Sequence, residues 1–249
     1  MSSQSGRLGV GIIGAGRVGP VLGAALAGAG HSIVGIAAVT EENRDRARAM
    51  MPSVPILDIP QIIERAELVI LAIPESELES LVAGLAATGA WQAGQLVLHT
   101  APGVGCSVLA PATAAGAIPL AVHPAMDFTG TSMDLVRLRD SYCAVTAPTP
   151  VLPIGQALVV EMGAEPIVIA ESDRPRYAEA IATATSFSAA IVGQAVALLE
   201  GLGIDSPGTV LAPLVRSSVE NALARASAAT IDLSTLGFAE PEVRGEEAS

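Results

Sequence analysis

A short apolar run, Leu8–Ile13, gives way to glycines at 14, 16 and 19, and an alanine-rich stretch, Val18–Ala29, follows before Gly30 ends it. A second apolar run, Ser32–Val39, comes next. Strand, glycine turn, helix, strand is a βαβ unit, whose crossover helix returns the chain so that the two strands pair in parallel. Gly14-Ala15-Gly16-Arg17-Val18-Gly19 fits G-x-G-x-x-G in the context that gives the pattern meaning. The first glycine permits a tight turn, the second lets a diphosphate approach the backbone, and the third lets helix and strand pack closely. The helix start adds free N–H groups and partial positive charge. A dinucleotide site along residues 14–19 is therefore expected.

The same grammar continues. Val54–Leu57 reads as a short strand and Pro60–Ala66 as a helix. Leu68–Pro74 is a continuous apolar run, the mark of a strand covered on both faces. Ser76 with Glu79 forms an S-x-x-E box that starts a helix. Gln95–Thr100 is a strand, Val104–Ala115 a helix with Pro111 as a defect, and Ile118–Pro124 another strand. Tyr142–Thr146, Ile154–Met162 and Pro166–Ile169 close the series, so a doubly wound, mostly parallel α/β sheet is expected. After Ala170 the strand pattern stops. Ser172 or Asp173 caps a long helix ending near Leu202, and Ser206-Pro207 opens a second, kinked at Pro213 and ending near Ala226. The expected domains are 7–170, a dinucleotide-binding domain; 171–238, a small all-α domain; and 239–249, an acidic tail too polar to order itself.

Composition removes whole classes of chemistry. All 13 basic residues are arginine, which excludes a Schiff-base lysine, a Walker-type phosphate loop and an ammonium proton donor. The formal net charge of −12 argues against nucleic acid and anionic membranes as partners. No apolar run is read as long enough to span a bilayer, and "MSSQSGR" is read as a mature cytoplasmic N-terminus. Cys106 and Cys143 stand apart, without metal-ligand spacing, and are expected as reduced thiols; no metal is expected.

The second strand decides which dinucleotide. An NAD site usually has Asp or Glu at that strand's end, to hold the ribose hydroxyls. Here stand Ala38-Val39-Thr40, with Arg44 four residues on. Thr40 and Arg44 suit a 2′-phosphate, whereas Glu41 and Glu42 oppose one, so NADP is expected, with NAD as the alternative. In a parallel sheet ligands sit at the carboxyl ends of the strands, which Pro74, Thr100 and Pro124 mark. His123 is the best proton-transfer group there, His99 is read as structural, and His31 as a surface residue.

The segments "VGIIGAGRVG", "LVILAIPESEL", "VLHTAPGVG", "AVHPAMDF" and "YAEAIATATSFSAAIVGQAVALLEGLG", in that order, resemble bacterial two-domain proteins. These join an NADP-oxidoreductase-type Rossmann domain to a helical domain of unknown function, within the 6-phosphogluconate-dehydrogenase-like superfamily. The resemblance implies NAD(P) along Gly14–Val18, Ala72, Ile73, Pro74 and Thr100, and a homodimer built through the helical domain. It implies hydride transfer with a small-molecule substrate, in an interdomain cleft lined by His123, Thr185 and Ser186. The chain departs from that pattern with Ala101-Pro102 after His99-Thr100 and with Ala184-Thr185-Ser186 in the long helix. Two other readings stand beside it. One is a ligand-binding protein without turnover. The other is a prephenate- or arogenate-type dehydrogenase, disfavoured because few arginines are placed to meet a dicarboxylate.

Overall fold

The computed structural model describes residues 7–229. It divides into two compact units, the first through Thr185 and the second from Ser186. The expected tail at 239–249, and the end of the expected helical domain, lie outside the described residues.

The first unit is built on one seven-stranded sheet, β1 (Gly9–Ile13), β2 (Ser32–Ala37), β3 (Leu68–Leu71), β4 (Leu96–His99), β5 (Ile118–Pro124), β6 (Tyr142–Thr146) and β7 (Glu165–Val168), in the order β2-β1-β3-β4-β5-β6-β7. The fold is thus doubly wound and mostly parallel, as expected. The one antiparallel pair is β5–β6, where His123 faces Ala144 and Ala121 faces Thr146.

Period-two alternation splits the apolar strand residues between two cores. Val10, Ile12, Leu68, Ile70, Leu96, Leu98, Leu120 and Val122 join one cluster with α1 (Gly19–Gly28), α2 (Glu41–Met50), α6 (Met133–Arg139) and α7 (Leu152–Glu161). Ile13, Val69, Leu71 and Val97 join the other, with α3 (Ile59–Arg65), α4 (Glu75–Ala87) and α5 (Ala110–Ala114). Ile12, Ile36, Leu68 and Ile70 are wholly buried, each contributing roughly 1.5–3 kcal/mol by removal from water. Strands sealed on both faces explain why these runs read as continuous hydrophobicity.

Several expectations need correction. Val54–Leu57 is not a strand: it makes a single parallel bridge, Ile36 to Ile56, beyond β2, because Pro52 and Pro55 crowd so short a run. Helix α4 begins at Glu75 behind Pro74, with no side-chain cap, so the Ser76–Glu79 box does not start it. Pro111 falls in the first turn of α5, where its missing N–H costs nothing. Helix α6 was not foreseen, and His31 is buried rather than on the surface. Its Nδ1 accepts from the Leu8 N–H at 3.1 Å and its Nε2 meets the Glu161 carboxylate at 2.8 Å, tying β1 to α7.

The long helix is α8 (Arg174–Ala182), then one π turn over Thr183–Phe187, then α9 (Ser188–Glu200). The second unit holds α9 and α10 (Pro207–Ala229), which contains Pro213. The helical stretch Glu171–Glu200, with a mean hydropathy of 1.5 over its most apolar window, is long and apolar enough by those measures to cross a bilayer, which corrects the expectation that no run is.

Candidate functional site

The chain leaves β1 at the sheet's switch point, where β2 lies on one side and β3 on the other. Open α/β sheets bind ligands at such a crevice. Gly14 has φ +108°, and a Cβ there would run into the Ala72 carbonyl oxygen; a Cβ on Gly19 would run into the Gly14 carbonyl. Both positions therefore demand glycine for the turn itself. Gly16 is different: a Cβ there meets nothing within 4 Å. Beside it opens a cavity of about 670 Å³, lined by Gly14, Ala15, Gly16, Ala72, Ile73 and Pro74, among others. Helix α1 starts without a side-chain cap; Pro20 has no N–H and the Val21 and Leu22 amides already meet the Val18 carbonyl, so the turn's own amides before Pro20 are what it offers an anion. Bare backbone, an uncapped helix start and room beside Gly16 fit a dinucleotide diphosphate.

Of the expected cofactor residues, Gly14, Ala15, Gly16, Ala72, Ile73 and Pro74 share this cavity. Arg17, Val18 and Gly19 complete the turn. Thr40 N-caps α2, accepting from the Asn43 N–H at 3.2 Å, which leaves its own hydroxyl proton free to donate. Arg44 does not line the cavity; it meets Glu41 at 3.2 Å on the exposed side of α2. Thr100 is buried behind β4, its N–H reaching the Leu71 carbonyl.

Sequence reasoning missed Asn43 and Glu77, which line the same cavity, and Arg46. Arg46 donates to Asn43 Oδ1 at 2.9 Å and reaches the Ala15 carbonyl at 3.5 Å, bracing the glycine turn from α2. The segment after β5 reaches the turn too. Buried Asp134 accepts from the Thr129 and Gly130 N–H groups and the Thr129 hydroxyl, which sets Gly130, at φ +78°, against Arg17 and Arg46.

The histidines divide as chemistry requires. His99 accepts the Ala101 N–H at Nδ1, 3.2 Å, so Nε2 carries the proton that it donates to the Gly105 carbonyl, 2.8 Å. Burial pushes this imidazole down to about 4, and with both nitrogens engaged it is a structural group. His123 leaves one nitrogen open. Its Nδ1 lies 2.9 Å from the Tyr177 hydroxyl, while Nε2 has no partner among the described residues and is not sealed from solvent. Burial first, then the Arg174 guanidinium and His99, push His123 down to about 4, so it is neutral near pH 7.

Arg174 and Tyr177 gave no signal in the sequence, because their partners lie 28 to 54 residues away. Arg174 is wholly buried: Nε donates to the Thr146 hydroxyl at 2.7 Å and one terminal nitrogen to the Ala121 and Ala144 carbonyls at 2.8 and 3.1 Å. The other terminal nitrogen, Nη1, has no partner among the described residues. Glu171, one turn before, accepts from the Cys106 and Ser107 N–H groups. Burial raises both the Cys106 and Cys143 thiols to about 12, which leaves them protonated and unreactive. Thr185 spends its hydroxyl on the Ile181 and Ala182 carbonyls, and Ser186 is exposed in the same π turn. No group of three or more His, Cys, Asp or Glu residues suited to a metal occurs among the described residues.

A doubly wound sheet with a glycine turn opening onto a crevice at its switch point defines a Rossmann-like domain, and the Rossmann-like domain model matches residues 2–124. A model described as a domain of unknown function, DUF2520, matches residues 141–231, opening on β6, so the chain carries a match to each of these two domain models in turn. Among solved structures it is similar to a Bacteroides fragilis protein described as a candidate NADP oxidoreductase (20% identity, TM-score 0.72, 86% of this chain and 80% of that one). It is also similar to a Plasmodium falciparum pyrroline carboxylate reductase with NADP bound (10%, 0.65, 95% and 86%). A Pseudomonas imine reductase is a third (13%, 0.66, 90% and 77%). At these identities the likeness establishes the fold. No curated protein matches the chain.

Proposed function

We propose that this protein is an NADP-dependent oxidoreductase acting on a small metabolite, with His123 handling the proton that accompanies the hydride. The observation that carries the reading is the open face of Gly16, where a side chain would fill space that a diphosphate needs. The preference for NADP over NAD is supported by the missing carboxylate after β2, by the free hydroxyl proton of Thr40 and by Arg44 in the first turn of α2. Glu41 and Glu42 are already paired to arginines, which lessens their repulsion of a 2′-phosphate. Structural neighbours whose names include NADP support the same class.

When bound, the nicotinamide supplies or accepts the hydride. The chain's own contribution is to hold the diphosphate on the backbone of residues 14–19 and to present an imidazole nitrogen at the carboxyl end of β5. Thr185 and Ser186 stay in the reading as residues of a π turn, a feature frequent at functional sites. Free thiols at Cys106 and Cys143 support a reducing, cytoplasmic setting, and a homodimer through the second unit is part of the same proposal.

Fluorescence titration with NADPH and NADH tests the cofactor directly. Binding of NADPH at least tenfold tighter than NADH is expected, and binding of neither overturns the proposal. In a panel of carbonyls, imines and alcohols, a His123→Ala variant that still binds NADPH is expected to lose turnover.

A further inference from the structure

His123 is the inner end of a chain of contacts that begins on α8. Tyr177 and Arg174 stand three residues apart on that helix, hence on one face. The tyrosine ring meets the imidazole edge-on, centroids 5.6 Å apart at 77°, with its hydroxyl on Nδ1. The Arg174 guanidinium carbon lies 5.9 Å from the centre of the same ring. Arg174 is wholly buried, and among the described residues it has no carboxylate in hydrogen-bond reach and no partner for Nη1. Burial of a guanidinium on neutral acceptors, one hydroxyl and two carbonyls, is costly, and packing does not explain a cation at this place.

We infer that Tyr177 and His123 form a two-residue proton relay serving a carbonyl oxygen, and that Arg174 is the positioning residue that stabilises the phenolate the relay leaves behind. This rests on the hydride-transfer reading above. A phenol hydroxyl is a better donor than an imidazole N–H, and an imidazole nitrogen a better acceptor than a phenol oxygen, so Tyr177 donates and Nδ1 accepts. The neutral ring then carries its proton on Nε2, the nitrogen with no partner among the described residues.

As a carbonyl carbon takes a hydride from the reduced nicotinamide, the C=O π pair moves to oxygen, and that oxygen takes the Nε2 proton. The N–H bonding pair stays on the ring, Nδ1 takes the Tyr177 proton, and a phenolate remains beside Arg174. The phenolate then takes the Nδ1 proton back while solvent protonates the open Nε2, so Tyr177 ends as a phenol and the ring returns to its Nε2–H tautomer. Hydride plus proton converts the carbonyl to an alcohol, and the reverse sequence oxidises one. An iminium acceptor needs no such proton, and the Arg174 cation disfavours it.

The groups facing His123 are Tyr177 and Arg174 from α8 and His99 from β4, while Cys143 of β6 faces Tyr177. The deciding measurement is long-range ¹⁵N–¹H correlation NMR on the full chain with labelled histidine, His123 being assigned by loss of its signals in His123→Asn. The wild type is expected as the neutral Nε2–H tautomer from pH 6 to 9. Tyr177→Phe removes a donor that favours the neutral ring, so its titration midpoint rises by about one pH unit and the tautomer preference weakens. Arg174→Gln raises the midpoint as well; should it fail to fold, the wild type and Tyr177→Phe decide. A wild-type Nδ1–H tautomer, or no change in Tyr177→Phe, overturns the relay. NADPH titration of the same samples separates the two claims: absent binding sinks the redox reading, whereas binding with an Nδ1–H tautomer sinks the relay alone.

Discussion

Gly14 and Gly16 stand two residues apart and answer to different constraints. Gly14→Ala must accept φ +108° and a Cβ against the Ala72 carbonyl, so a loss of roughly 1–3 kcal/mol of stability is expected from the backbone alone. Gly16→Val meets open space; its stability is expected within about 0.5 kcal/mol of wild type, while NADPH affinity falls at least tenfold. Denaturant unfolding beside NADPH titration checks both, and a Gly16→Val protein with undiminished binding counts against the diphosphate site. These glycines were legible in the sequence because their spacing falls between a strand and a helix, where the turn needs one and a diphosphate the other. Arg174 and Tyr177 were not, because a buried arginine and an ordinary helical tyrosine become a site only through tertiary contacts. The histidines add a pH signature. His99 and His123 both have native values near 4 against an ordinary 6.5, so the unfolded chain binds more protons between those limits. Their contribution is complete above pH 6.5 and lost as the pH falls toward 4, at up to about 1.4 kcal/mol per pH unit for each group. Unfolding free energies from pH 7 to 4 are expected to fall accordingly, with a shallower slope in His123→Gln.

Elements were legible where periodicity is local. The parallel strands β1, β3, β4 and β5 read directly as apolar runs, because each is sealed on both faces. The reversal at β6 was not legible, since a strand's residues carry no mark of its direction relative to a neighbour. Nor was the segment between β5 and α6, which is ordered by the Asp134 carboxylate rather than by an apolar pattern. That carboxylate is wholly buried and accepts three hydrogen bonds, with Arg137 at 3.6 Å. Asp134→Ala is expected to cost about 2–4 kcal/mol, since bonds to a charged acceptor are each worth about 1.5–3 and partly offset by lost burial of charge. Because Gly130 packs on Arg17 and Arg46, hydrogen exchange at residues 129–131 and at the glycine turn is expected to accelerate together. Faster exchange at 129–131 with an unchanged glycine turn would show that the segment does not brace the nucleotide site.

At the scale of the whole molecule, the helical unit poses a physical problem that the sheet does not. Phe187, Ile191, Leu198 and Leu202 are 64–76% exposed; Ile191 and Leu198 stand seven residues apart on α9, hence on one stripe, with Phe187 in the π turn before it and Leu202 in the turn after it. Val210, Leu214, Val219 and Leu223 on α10 are 48–65% exposed. Among the described residues nothing covers that apolar surface, and patches of this kind mark surfaces that are covered. A second copy is the occupant proposed here, because an isologous pair buries the same stripe on both chains. The competing cover is a bilayer, since the same stretch passes on length and hydropathy. Light scattering in detergent-free buffer separates them: a species of twice the 25.0 kDa chain mass is expected, and Ile191→Glu with Leu198→Glu is expected to reduce it to one chain or to precipitate it. A single-chain species in the wild type, or association only on lipid vesicles, counts against the dimer. Because the sheet's core lies wholly in the first unit, NADPH binding is expected to survive the double substitution even where the dimer does not.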